Sequence, residues 1–191
     1  MGKRTEQKEN RRQQILLSSL ELFVRRGFHK TTVRDIAENC KISVGLLFHY
    51  FPTKQDILKE LFEMAQEGIT YSMERMRDAT APMECFEEIT KHILNAFQES
   101  PLAASIFMLA NQALTSNWLE DTGDLIPSSK SVEVTALLIQ KGQQDNSIKQ
   151  GNPYSLALCY WGAIQGIAEG LVHYPQIPPP KAQWIIDILR S

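Results

Sequence analysis

The side chains best suited to chemistry in this chain are hydrogen-bond donors gathered in its N-terminal third. Thr32, Ser43, Tyr50 and Lys54 occur there, and hydroxyl and ammonium groups of this kind donate to phosphate oxygens. Arg34 stands in the first turn of a predicted helix, where the helix dipole disfavours a cation, so an opposing phosphate or base explains it better than solvent does. Together these five side chains predict a surface that clamps a phosphate backbone.

The other reactive residue types form no recognisable catalytic or metal-binding pattern. The histidines are scattered, the cysteines have no C-x-x-C spacing, and no Gly-rich phosphate loop, HExxH or GxSxG motif occurs. We therefore expect no enzymatic activity, no cofactor and no metal, and we expect the thiols to be reduced. The residues concerned are His29, His49, His92, His173, Cys40, Cys85 and Cys159.

The charge of the chain is distributed unevenly. Residues 1–54 hold eleven Lys or Arg against five acidic residues, a net +6, whereas residues 55–191 hold nine against seventeen, a net -8. A basic N-terminal part on an acidic remainder indicates a polyanionic partner for the basic part alone.

Helix signals place the donors on short elements. Apolar residues recur at helical spacing over residues 11–26, and Gly27 follows as a stop. Thr32 is a predicted N-cap with Asp35 as its capping-box partner, opening a second helix that ends near Cys40.

A third helix follows after a tight connection. Ser43 is its predicted N-cap, and the helix runs over residues 44–50, because Pro52 disfavours helix at the residue before it. Two short helices joined by about three residues and preceded by a longer one are typical of a helix-turn-helix.

At this point the sequence resembles a known family. The stretch 12–61 is similar to the DNA-binding domain of the TetR family, which implies a DNA-binding domain over residues 1–56 with its motif at about 32–51. Leu46 departs from the pattern, since the family commonly has a small polar residue there, and Phe48 matches as an aromatic residue where the family commonly has a tyrosine. The matching residues are Phe23, Gly27, Phe28, Thr31, Thr32, Val33, Ile36, Ala37, Ser43, Gly45, Leu47, Phe48, Tyr50, Phe51, Thr53, Lys54 and Ile57.

The third helix would then be the recognition helix in the major groove. Val44 and Leu46 offer apolar surface suited to thymine methyl groups, Gly45 permits close backbone approach, and His49 can hydrogen-bond a base or a phosphate. We expect few direct base contacts.

The sequence predicts core packing for some residues of this segment and leaves it open for others. Leu47 and Phe51 are expected in the core, whereas Leu46 and Phe48 could serve either as core residues or as DNA contacts.

Residues 57–191 read as helix after helix, which predicts an all-α fold: a three-helix DNA-binding head and an all-helical effector-binding and dimerisation domain. Residues 115–128 are the best loop candidate. The expected helices cover Ile57–Arg77, Pro82–Phe97, Leu102–Leu114, Ser129–Gln144, a segment capped by Asn152 that runs to Tyr174, and Lys181–Leu189.

A glycine stripe marks the helix that ends at Tyr174. Gly162, Gly166 and Gly170 are spaced by four residues, and each costs about 1 kcal/mol of helix propensity relative to alanine. Close approach of another helix would explain them. The resemblance implies a dimer interface in this region, with packing inside one subunit as the alternative.

An effector pocket is the least constrained expectation. Apolar and aromatic side chains with a few polar groups among the body helices suggest a lipophilic or aromatic effector. The candidates are Phe86, Phe107, Met108, Trp118 and Trp161, with Asn111 and Gln165 as polar groups.

The resemblance implies a cytoplasmic homodimer that binds double-stranded DNA at a palindromic operator and, as a repressor, releases it on binding a small molecule. Two alternatives stay open: a transcriptional activator, and an architectural DNA-binding protein without ligand control. No stretch of about 18 consecutive apolar residues suggests a membrane segment.

Overall fold

A computed structural model describes residues 2–115 and 128–190, and these residues form helices joined by turns, without a strand. The all-α prediction is therefore confirmed. The helices are α1 (Lys3–Arg26), α2 (Val33–Asn39), α3 (Val44–Tyr50), α4 (Lys54–Asp78), α5 (Pro82–Glu99), α6 (Pro101–Thr115), α7 (Ser128–Gln144), α8 (Pro153–His173) and α9 (Ala182–Ile186).

The chain divides into two compact units, Met1–Met64 and Ala65–Ser191, which we call the head and the body. The division falls inside α4, eight residues after the domain boundary that the sequence predicts at 56. Helix α4 is continuous through both numbers, because no Pro, Gly or capping residue interrupts residues 54–64.

In the head, α1 is longer than the apolar pattern predicts. It begins at Lys3 rather than near Arg11. The added residues are polar and mostly exposed, so they show no apolar periodicity. Lys, Arg, Glu and Gln are nonetheless good helix formers, and their propensity extends the helix without a buried face.

The predicted ends of the short helices are confirmed by specific contacts. Gly27 ends α1 with a φ of 84°, a value that suits glycine. Thr32 and Asp35 form a reciprocal capping box at the start of α2. The Ser43 hydroxyl accepts a hydrogen bond from the backbone N–H of Leu46 at the start of α3.

The core of the head is built from α1 to α3 and the first turns of α4. Helix α2 packs against both α1 and α3. The apolar side chains that point inward are almost completely shielded from solvent, and they hold helices too short to be stable alone. They include Ile15, Leu20, Phe23, Phe28, Ile36, Leu47, Phe51, Ile57 and Leu61.

The body has a core of its own around α8, which packs against α6 and α7, while α5 packs against α6, α7 and α9. Tyr160 lies at its centre, with its hydroxyl 2.9 Å from that of Thr90 and its ring edge-on to Phe86. No helix in the described part of the chain is both long and apolar enough to span a membrane.

Two predictions for the body concern its last helix and the loop at 115–128. The last helix is shorter than predicted: it ends at Ile186, and the carbonyl of Leu189 instead accepts a hydrogen bond from the backbone N–H of Lys149 at 3.0 Å. The predicted loop at 115–128 lies almost wholly outside the described residues.

The turn between α2 and α3 generates the first prediction. Lys41 has a φ of 54° in that turn, a left-handed conformation that costs a residue with a Cβ about 1–2 kcal/mol. Lys41→Gly should therefore raise the free energy of unfolding of the head by about 1 kcal/mol. Lys30→Gly removes the same charge from an exposed turn position without a positive φ, and it should give no gain. Denaturant unfolding followed by circular dichroism measures both variants, and an equal effect would contradict the explanation.

Candidate DNA-binding surface

Helix α3 has one buried and one exposed face. Leu47 and Phe51 are 0% and 1% exposed, as the sequence predicts. Leu46 and Phe48, left open between core and contact, are 40% and 47% exposed. Both therefore present apolar surface to solvent, and Val44 is half-buried beside them.

The remaining predicted contacts of α3 differ in accessibility. His49 is exposed and its ring meets that of Tyr50 edge-on at 5.6 Å, while Tyr50 is half-buried. Gly45 is exposed, and a Cβ at this position would meet no other atom within 4 Å. The described part of the chain therefore leaves open space at Gly45.

Two of the three predicted hydroxyl clamps, Thr32 and Ser43, act as helix caps. The Thr32 hydroxyl accepts from the backbone N–H of Asp35 at 3.1 Å and donates to the Asp35 carboxylate, which also accepts the Thr32 backbone N–H. Both donors of Thr32 are therefore engaged within the capping box. Ser43 uses only its acceptor lone pair on Leu46, and a hydroxyl keeps one O–H for another partner.

Sequence reasoning missed a third cap next to this surface. At the start of α4 the Thr53 hydroxyl accepts from the backbone N–H of Asp56 at 3.1 Å, and the Asp56 carboxylate accepts from Thr53 in return. The signal was present, because Thr53 and Asp56 repeat the spacing of Thr32 and Asp35.

Lys54 is held inside the head. Its ammonium donates to the backbone carbonyls of Phe28 at 2.9 Å and Thr31 at 3.0 Å, and it lies 4.4 Å from the centre of the Phe28 ring. Partial burial lowers the pKa of Lys54 below its ordinary value. Two of its three N–H groups thus fasten the turn between α1 and α2, whatever the third does.

Two arginines near the N-terminus of α2, Arg26 and Arg34, differ in their ion pairing. Arg26 pairs with Asp35 at 3.3 Å, and the hydrogen bonds from Thr32 hold the pKa of the Asp35 carboxyl below its usual value. Arg34 is exposed and has no ion pair in the described part of the chain. It is therefore available to an external anion.

An open cleft of about 420 Å³ brings several of these groups together. It contains the N-terminal ends of α2 and α4 and one side chain of α3. Helix N-termini carry a partial positive charge and unpaired N–H groups, which suit an anion such as a phosphate. The lining residues are His29, Thr31, Thr32, Val33, Phe48, Pro52, Thr53, Lys54 and Gln55.

The predicted effector residues lie in the body at different depths. Phe86 and Met108 are fully buried, whereas the other described candidates are half-buried. The Trp161 indole donates to the Thr135 hydroxyl at 2.9 Å, and the buried Oε1 of Gln165 has no hydrogen-bond partner among the described residues. Trp118 lies outside the described residues. The half-buried candidates are Phe107, Asn111, Trp161 and Gln165.

The predicted glycine stripe lies on the surface of α8. Gly162 and Gly166 are exposed and Gly170 is partly so, and a Cβ on any of them would meet nothing within 4 Å. The alternative that these glycines admit a helix of the same subunit is therefore wrong within the described residues. No group of three His, Cys, Asp or Glu in those residues could hold a metal ion.

Comparison with known proteins agrees with this geometry. Residues 15–61 match the family described as "Bacterial regulatory proteins, tetR family". The HTH-type transcriptional regulator RutR of Escherichia coli K12 is 26% identical over 171 residues, which is 88% of this chain and 78% of RutR. The transcriptional repressor KstR2 of Mycobacterium tuberculosis is 28% identical over 120 residues, or 60% of each chain.

The fold is also similar to that of a solved structure. A TetR-like transcriptional regulator from Rhodococcus sp. RHA1 superimposes with a TM-score of 0.68 at 18% identity, covering 93% of this chain and 92% of that one. The likeness therefore extends through the body as well as the head.

The Lys54 contacts generate the second prediction. Lys54→Met leaves the carbonyls of Phe28 and Thr31 without their charged donor, so the free energy of unfolding of the head should fall by about 1–3 kcal/mol. Lys30→Met, at an exposed position, should change it by less than about 0.5 kcal/mol. All three tryptophans follow residue 64. Tryptophan fluorescence therefore reports the body alone, and its difference from circular dichroism isolates the head. Equal stability of the two variants would show that Lys54 does not fasten the turn.

Proposed function

Because the chain belongs to the TetR family of bacterial transcriptional regulators, we propose that it is a homodimeric repressor that releases a palindromic operator when a small molecule binds the body. Regulators of this family bind DNA, and they are not enzymes. The observation that carries the proposal is the outward face of α3, where Leu46 and Phe48 expose large apolar side chains beside His49. Exposed apolar patches on a protein surface mark sites of interaction with another molecule.

The DNA contacts that we propose divide into two kinds. Val44, Leu46 and Phe48 would meet base edges through apolar contact, in which the thymine methyl group is the natural partner, and His49 would supply a hydrogen bond. The N-termini of α2 and α3, with Arg34, Ser43 and Tyr50, would hold phosphates and set the register. Thr32 and Lys54 would contribute chiefly by holding these elements in place, since their donors are engaged within the head.

The surface of α8 supports the proposed dimer. Leu158 is 61% exposed and Tyr154 52%, and both lie on the same side of the helix as Gly162 and Gly166. Helix α7 packs alongside α8 and exposes Leu137. An apolar helical surface with open glycine positions accommodates a second copy of itself, and a two-fold dimer would supply that copy.

A small-molecule effector is proposed from the half-buried residues of the body. Phe107 and Trp161 offer aromatic surface, and the Gln165 Oε1, which has no partner within residues 2–115 and 128–190, could accept a hydrogen bond from a ligand. Few cations lie among these residues, so the proposal favours a lipophilic or aromatic effector over a phosphorylated one. Any such ligand must be coupled reciprocally to the operator, each weakening the binding of the other by the same factor.

We favour repression over activation because the similar KstR2 is named a transcriptional repressor. The proposal also places the protein in the bacterial cytoplasm, where the operator DNA is accessible. An architectural DNA-binding protein, the other alternative, would not discriminate strongly between sequences.

The third prediction tests operator recognition. One α3 per subunit implies that a dimer reads two half-sites about 34–36 Å apart. A duplex selected by the protein from a random library should therefore contain an inverted repeat, and scrambling one half should weaken binding by about 100-fold or more. Sequencing of the selected duplexes reveals the repeat, and fluorescence anisotropy of labelled duplexes measures the two affinities. Equal binding of the intact and half-scrambled duplexes would favour the architectural alternative.

The fourth prediction tests the dimer surface. Gly166→Leu fits the isolated subunit, because its Cβ meets nothing within 4 Å, but it should obstruct a closely packed partner helix. We expect the dimer dissociation constant to rise by about tenfold or more, as measured by light scattering across a dilution series. Gly68→Leu is the matched control, because Gly68 is also an exposed helical glycine with open space. If both variants dimerise as the unmodified protein does, the interface lies elsewhere.

A further inference from the structure

Arg12 joins three helices of the head at the C-terminal end of the recognition helix. From α1 its Nη1 donates to the backbone carbonyl of Tyr50 at 3.2 Å. Its Nε donates to the Glu60 carboxylate on α4 at 2.8 Å, and its Nη2 donates to the other oxygen of that carboxylate. The guanidinium carbon also lies 4.4 Å from the centre of the Phe51 ring. One side chain thus contacts the last residue of α3, its C-cap and α4.

This geometry requires an arginine. A guanidinium is a planar fork that can pair with a carboxylate through two parallel hydrogen bonds and still stack on an aromatic ring, whereas a lysine ammonium cannot do both. The hydrogen bond to Glu60 is the main reason that the pKa of Arg12 is raised above its ordinary value. All three side-chain nitrogens of Arg12 donate to acceptors within the head, so the guanidinium is already engaged in contacts inside the protein.

Helix α3 depends on such a restraint. It has seven residues, and Leu47 is its one fully buried side chain. Leu47 and the buried C-cap residue Phe51 anchor the segment from its inner side, and polar contacts at its two ends restrain its orientation further. The Ser43 cap holds the N-terminal end, and Arg12 holds the carbonyl of Tyr50 at the opposite end. A cation near a helix C-terminus is also favoured by the helix dipole.

We propose that Arg12, held by Glu60, is a positioning residue for operator recognition: it orients the recognition helix and contacts no phosphate itself. The inference rests on the proposed function, since it concerns how α3 meets DNA. It adds to that function a pair of residues, 48 positions apart, that no motif of the DNA-binding domain singled out.

Glu60→Gln tests the proposal because two explanations predict opposite signs. If only charge mattered, removal of a negative charge from the head would tighten DNA binding. If Glu60 holds Arg12 in place, operator affinity should fall by about tenfold, the scale of one hydrogen bond to a charged group. Affinity for a scrambled duplex should be unchanged or slightly higher, so that the ratio of the two affinities falls.

Glu63→Gln is the matched control. It removes the same charge from the same helix. Glu63 is exposed, lies 4.0 Å from Lys59 and acts on Arg12 through its charge, whereas the side-chain hydrogen bonds of Arg12 within the described residues go to Glu60 and Tyr50. The control substitution should leave the ratio of operator to scrambled affinity unchanged. Both variants should keep the dependence of log affinity on log salt concentration of the unmodified protein, because no phosphate contact is lost.

Arg12→Lys distinguishes a positioning role from a phosphate contact. It also tests the proposal if Glu60→Gln partly unfolds the head, as seen by a loss of helicity. It keeps the charge but loses the fork and the stacking, so operator affinity should fall about tenfold with scrambled binding intact. A lysine that restores full operator affinity would overturn the proposal, as would Glu60→Gln behaving like Glu63→Gln. Should the unmodified protein itself prefer no selected duplex over a scrambled one, the proposed function fails instead.

Discussion

A seven-residue helix cannot hold its own geometry in water, and everything that α3 offers to a partner depends on how the head supplies that geometry. Leu47 provides the apolar anchor, and the Ser43 hydroxyl satisfies the first turn. Arg12 restrains the last carbonyl. The exposed residues between these restraints are then free of packing duties, which is why a helix this small can present Leu46 and Phe48 outward.

Polar side chains of the head also help to hold its short helices in place. Two groups that the sequence predicts as phosphate contacts are engaged within the fold, Thr32 with Asp35 and Lys54 with two carbonyls, and Arg12 is engaged with Glu60. Each bond fastens a turn or a helix end near the proposed DNA surface. The head therefore divides its polar groups between those that build the surface and those, such as Arg34, that are left exposed upon it.

Local sequence signals predicted much of this architecture. The stop at Gly27, the caps at Thr32 and Ser43 and the burial of Leu47 and Phe51 all follow from spacing and residue type, because each depends on neighbours a few positions away. Contacts between residues far apart in the sequence have no comparable local signal. Arg12 and Glu60 are 48 residues apart, and each alone reads as an ordinary charge on a helix. The polar start of α1 was missed because only apolar periodicity was used to delimit it.

The composition of α3 has a consequence for the chemical state of the DNA. As the proposed reading face, Val44, Leu46 and Phe48 would contact the carbon atoms of a base edge more than its hydrogen-bonding groups. In the major groove the carbon that distinguishes thymine is the methyl group at C5. A cytosine methylated at C5 carries the same group at the same place. Under the proposed function, methylation of an operator cytosine at C5 would therefore alter the occupancy of that operator without changing its base sequence.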